Sequence, residues 1–154
     1  MFRRLLLLLF ITLGSQKAFS QVITLNDLTT LAYSNDKAVV QLLTKQKDFK
    51  RFSTSTENNV VINTFALFAS RSTEIVRTKR NITDNTQSSL EYHVLPLKYV
   101  VMLKKQLISN GFLFTSKRSD NKLDWSVYKS RKLEFDIYIM QNGLPAIIDI
   151  VKNP

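Results

Sequence analysis

The chain has 154 residues, with 22 lysines and arginines against 12 acids, a single histidine and no cysteine. It is too short for a barrel enzyme or for a dinucleotide fold with a second domain. Disulfides, thiolate metal sites, cysteine nucleophiles and multi-histidine metal centres are excluded as well.

Residues 1–20 read as an address. Arg3 and Arg4 precede an unbroken apolar run from Leu5 to Leu13, and Ala18-Phe19-Ser20 closes the segment. A positive start, a short apolar stretch and a small-residue end make the pattern of a secretory signal peptide. The run is shorter than the ~20 apolar residues that span a bilayer. Cleavage is expected after Ser20, leaving 134 residues with a formal charge of +7. The product is expected to be periplasmic or secreted, with no transmembrane span in its mature chain. It has length enough for one hydrophobic core.

The mature chain opens with helices. Asn26-Asp27 offers a cap before Leu28, Leu31 and Ala32, and Ser34-Asn35-Asp36 a second cap before Val39, Leu42 and Leu43. From Phe49 the spacing turns to strands: Phe49 to Thr54, Val60 to Ala69, Thr73 to Lys79 and Leu90 to Leu95. His93 alternates with Tyr92 and Val94 there, which makes it a half-buried or surface strand residue. Pro96 suits the first turn of a further helix with Val100, Leu103 and Leu107 as its buried stripe, and Gly111 suits its left-handed end. Strands over Phe112 to Lys117, Leu123 to Lys129, Leu133 to Met140 and Leu144 to Val151 follow.

Each half thus runs helix, phenylalanine, meander, with Phe49 and Phe112 at equivalent places. The expectation is one compact α+β domain of two helix-plus-antiparallel-meander repeats, residues 21–95 and 96–154, with the helices packed on one sheet face. This order resembles the tandem helix-plus-β-meander modules of small exported bacterial proteins, the β-lactamase inhibitory protein family among them. The stretch Lys104-Lys105-Gln106-Leu107 ending in Gly111-Phe112 resembles helices of uncharacterised secreted proteins. The resemblance implies helices on one side of a sheet and a free side for a partner. It carries no functional residue, and the cysteines that tie the inhibitory protein's modules have no counterpart here.

Asn142-Gly143 predicts a two-residue hairpin. That register pairs Ile139 with Ala146, Ile137 with Ile148 and Phe135 with Ile150, all apolar, and on the other side Tyr138 with Ile147 and Asp136 with Asp149. With a loop over Ser130 to Lys132, Trp125 faces Ile137, Val127 faces Phe135, Asp124 faces Tyr138 and Tyr128 faces Glu134. The core then takes Trp125, Phe135, Ile137, Ile139, Ile148 and Ile150. The opposite face gathers Asp124, Tyr128, Glu134, Asp136, Tyr138 and Asp149 into an acidic, tyrosine-bearing patch, a candidate partner-contact face. Like charges directly opposite repel, so a nearby lysine, solvent, a Ca²⁺ ion or a cationic partner is needed to offset them.

Catalytic patterns are weak. Ser34-Asn35-Asp36-Lys37 and Ser119-Asp120-Asn121 match S-x-x-K and S-D-N of penicillin-binding enzymes, but K-T-G is missing and the chain is too short for that fold. Ser34 reads instead as a helix cap and Ser119 to Asn121 as a turn. There is no glycine-rich phosphate loop, and His93 lacks the G-x-S-x-G context of a serine hydrolase. No enzyme activity, cofactor or metal is expected. The leading expectation is an exported, non-catalytic binding protein that uses the free sheet face. The alternative is an envelope-associated structural protein touching acidic polymer or membrane through its basic charge, and a small hydrolase is the remote third. The partner is an unknown protein or an acidic envelope polymer, not nucleic acid, because an exported chain does not meet it.

Overall fold

A computed structural model describes residues 23–69, 72–83, 87–120, 123–130, 135–140 and 146–152. The proposed signal peptide and Glu134 lie outside them.

Thr24 starts the first helix, α1 (Leu25–Tyr33). Its hydroxyl accepts from the Asp27 N–H at 3.2 Å while the Asp27 carboxylate accepts from the Thr24 N–H at 2.9 Å. This reciprocal capping box satisfies two of the helix's free amide donors and sets the start two residues before the expected cap. Asn35, rather than Ser34, caps α2 (Asp36–Val40), accepting from the Ala38 N–H at 3.0 Å, and α2 widens into a π-helical turn over Gln41–Gln46. The third helix, α3 (Lys98–Ser109), begins two residues beyond Pro96, which follows a cis peptide bond.

The strands are β1 (Lys50–Glu57), β2 (Val60–Ala69), β3 (Ser72–Asn81), β4 (Gln87–Leu95), β5 (Leu113–Asp120), β6 (Leu123–Lys129), β7 (Phe135–Met140) and β8 (Ala146–Lys152). They form one antiparallel sheet in the order β1-β2-β3-β4-β8-β7-β6-β5. Two meanders therefore meet at their last strands, and β1 and β5 are the edges.

The joints into the two meanders share their details. Asp48 and Gly111 both take a positive φ, +60° and +80°. The Phe49 N–H donates to the Leu43 carbonyl at 2.9 Å and the Phe112 N–H to the Leu107 carbonyl at 3.0 Å. Both phenylalanines are buried. Each edge strand then bulges at its third residue, Phe52 in β1 and Thr115 in β5, where the pairing skips one position.

Two registers differ from the expected ones. β7 and β8 pair Ile137 with Ile150, Tyr138 with Asp149 and Ile139 with Ile148, displaced by two residues. An even shift keeps every side chain on its face, so the isoleucines stay in the core, but Asp136 now faces Val151 and Asp149 faces Tyr138. β6 and β7 are displaced by three, pairing Trp125 with Met140, Tyr128 with Ile137 and Lys129 with Asp136. An odd shift exchanges the faces. Tyr128, 7% exposed, thus joins the core and Trp125 leaves it. The gain is an opposite-charge cross-strand pair, Lys129 Nζ to Asp136 Oδ2 at 2.8 Å.

One hydrophobic cluster holds the fold. From the sheet it takes alternate residues: Phe65, Val76, Leu90, Tyr92, Val94, Tyr128, Ile137, Ile139, Ala146, Ile148 and Ile150. From the helical segments it takes Leu25, Leu28, Leu31, Val39, Leu43, Tyr99, Val100, Leu103 and Leu107. A buried carboxylate, Glu74, is built into it, accepting from the Tyr92 hydroxyl at 2.6 Å and the Ile23 N–H at 3.2 Å.

Candidate functional site on the second sheet face

Successive side chains of a strand point to opposite faces. The residues that alternate with the core set therefore share the second face. Across the middle strands these are Arg77 and Lys79 of β3, Glu91 and His93 of β4, Ile147 and Asp149 of β8, Tyr138 of β7, Trp125 of β6 and Arg118 of β5. The alternation is plain in β4, where Leu90, Tyr92 and Val94 are fully buried and Glu91 and His93 lie between them, partly shielded.

Glu91 is the centre of a charge cluster. It pairs with Lys79, lies 3.7 Å from Arg77 Nη1 and 3.3 Å from His93 Nε2. Hydrogen bonding from His93 and then Lys79, with the lysine's charge, outweighs burial and holds its carboxyl down at about 2.

Asp149 stands directly opposite Glu91 in the β4–β8 ladder, and its environment is the reverse. Its Oδ1 is shut off from solvent without a hydrogen-bond partner among the described residues. Burial first, and the nearby Glu91 charge second, push its carboxyl up to about 6. The two carboxylates are thereby driven apart, one held charged in ion pairs and the other pushed toward its protonated form.

Asp149 opens onto a cavity of about 180 Å³ lined also by Arg118, Trp125, Tyr138 and Val151. On the far side of Glu91 the same face carries a second, wider hollow of about 380 Å³. It is lined by Ser53, Ser55, Glu57, Ile62, Thr64, Arg77, Lys79 and Glu91. Hydroxyls and charges line the one; two aromatic rings, an acid and a guanidinium line the other.

The structure brings together three of the six residues expected at a contact face. Asp136, Tyr138 and Asp149 share the second face, although Asp136 is buried and bound to Lys129. Tyr128 lies on the core side, and Asp124 shares its parity at the exposed end of β6, accepting from the Ser119 hydroxyl at 2.9 Å. Ser119 is thus a strand residue rather than part of a turn. Glu91, His93, Lys79, Trp125 and Arg118 were missed as a group. Their signal was the alternation in Gln87–Leu95, which already places Glu91 and His93 on one face. What the sequence did not offer was the long-range β4–β8 pairing.

Among the described residues, no cluster of three or more His, Asp or Glu side chains is placed to hold a metal ion, and no helix is long and apolar enough to cross a membrane. Comparison with protein-family models, with curated proteins and with solved structures found no match.

Proposed function

We propose that the protein is an exported, non-catalytic binding module that engages its partner through the second face of the sheet. The observation that carries this reading is the cavity on that face, where Asp149, Trp125, Tyr138 and Arg118 bring an acid, two aromatic rings and a guanidinium together. The polar hollow beyond Glu91 extends the contact surface toward β1.

The architecture behind this reading is two repeated modules with their helices on the core side, leaving the other side to the partner. The equal joints at Asp48-Phe49 and Gly111-Phe112, with matching bulges at Phe52 and Thr115, support the repeat. The shared cluster of helix and sheet side chains supports the one-sided helix layer. Export rests on the amino-terminal Arg-Arg, apolar run and Ala-Phe-Ser order.

A second reading is favoured by charge alone. With a formal net charge of +7 once the proposed signal peptide is removed, the protein is suited to acidic envelope polymer or an anionic membrane surface without a dedicated site. One experiment separates the two: retention of the immobilised protein's partners from an envelope fraction, compared for Arg118→Glu on the second face and Lys105→Glu on α3. The binding-face reading expects Arg118→Glu to abolish retention and Lys105→Glu to leave it. Equal loss in both, with release by salt alone, is the result of the electrostatic reading. Wild-type retention by Arg118→Glu overturns the first reading.

A further inference from the structure

We infer that the cavity between Arg118, Trp125, Tyr138 and Asp149 holds one ring of a neutral saccharide. The inference rests on the binding-face reading above and names its ligand class.

Size is the first argument. At about 180 Å³ the cavity lies below the ~300–1,000 Å³ of pockets that enclose drug-sized molecules. It takes one ring, with the rest of any longer ligand running out over the sheet.

Lining chemistry is the second. Trp125 and Tyr138 bring aromatic rings whose faces are electron-rich. The axial C–H bonds on one face of a pyranose carry the complementary partial charge. Asp149 brings a carboxylate to the wall, and the exposed Arg118 brings guanidinium donors. A sugar ring presents an apolar face together with hydroxyls that both donate and accept, so it meets all four groups at once.

Charge is the third. Around the cavity and its margin stand Arg77, Lys79 and Arg118 against Glu91 and Asp149. A cation drawn to Asp149 meets Arg118 on the same wall and Lys79 beside it. An anion drawn to Arg118 meets Asp149 and Glu91. A neutral polyhydroxylated ring meets neither penalty. The hydroxyl-lined hollow beyond Glu91 continues the same chemistry, as suits a ligand of several units.

The protein has a single tryptophan, and it lines the cavity, so its fluorescence reports on this site alone. The experiment is a titration of the purified protein with neutral di- and trisaccharides of glucose, galactose, mannose and N-acetylglucosamine. Trilysine and sulfate serve as charged probes. The expected result is a saturable change of Trp125 emission with at least one neutral saccharide and none with the charged probes. Binding should weaken at least ten-fold in Asp149→Leu and in Arg118→Ala, the latter at an exposed position that leaves folding intact. Asp149→Asn, which keeps an acceptor oxygen, should retain most of it. No saturable response to any neutral saccharide, while envelope retention still depends on Arg118, overturns the saccharide inference and leaves the binding face standing. A response to trilysine or sulfate alone overturns it in favour of a charged ligand. Silence in both experiments removes the face itself.

Discussion

Asp149 and Glu91 face each other across β8 and β4, and their surroundings give their titrations opposite signs. The Asp149 carboxyl sits at about 6 in the folded chain against its ordinary 3.8, so the folded state holds its proton more firmly than the unfolded state does. Stability from this group therefore rises as pH falls from about 6 toward 3.8. It is absent at higher pH. Glu91, lowered from 4.5 to about 2, contributes stability above 4.5 that is lost as pH falls toward 2. Chemical denaturation is expected to show the wild-type protein more stable near pH 5 than near pH 7.5, by on the order of 1–2 kcal/mol. Asp149→Asn should lack that rise while keeping the fall below pH 4.5. Equal pH profiles would mean that Asp149 is solvated. A second residue-scale prediction concerns the left-handed positions. A Cβ at Gly111 meets nothing within 4 Å, so Gly111→Ala costs only conformational energy, about 1–2 kcal/mol. Asp48→Gly relieves the same backbone state and should stabilise by up to about 1 kcal/mol. Thermal melts of the two variants should move in opposite directions.

At the scale of the elements, the joints and the registers make separate claims. Phe49 and Phe112 are both buried at the start of a meander, so Phe49→Ala and Phe112→Ala should each cost about 3–5 kcal/mol. A several-fold disparity in urea unfolding would speak against the repeat. The β6–β7 register makes Tyr128 a core residue and Trp125 a surface one. Tyr128→Ala should accordingly cost about 3–5 kcal/mol and Trp125→Ala about 1–2 kcal/mol, the reverse of what the shorter loop implies. Much of this layer was legible in the chain. The strands Val60–Ala69 and Leu123–Lys129, the phenylalanine after each helix and the left-handed Gly111 all follow from spacing and residue type. Pairing offsets were less so. Asn142-Gly143 is a strong hairpin signal, but the observed β7–β8 pairing is offset by two residues from the tight loop it suggests. The observed β6–β7 pairing sets Lys129 against Asp136 instead of closing a three-residue loop at Ser130. A single odd displacement there moved Tyr128 and Trp125 to opposite faces. For that reason the candidate site was only half visible: Tyr138 and Asp149 were found, while their neighbours across β4 and β6 depend on contacts that local pattern does not encode.

At the scale of the whole molecule, one sheet of two meanders divides its labour between faces. One face contributes to the hydrophobic cluster shared with the helical segments, and the other carries Glu91, His93, Trp125 and Tyr138 partly shielded and Asp136 buried. The joining of the meanders at β4 and β8 brings Glu91 and Asp149 side by side, so the site exists only once both halves have folded. The claim that this face does the binding is tested most directly by iodide quenching of Trp125, measured in the free protein and in the protein bound to its envelope fraction. The expected result is clear quenching in the free state, helped by the adjacent Arg118, and protection in the bound state. Equal quenching in both states would place the partner on another surface, and no quenching in the free state would return Trp125 to the core. Either outcome contradicts the account.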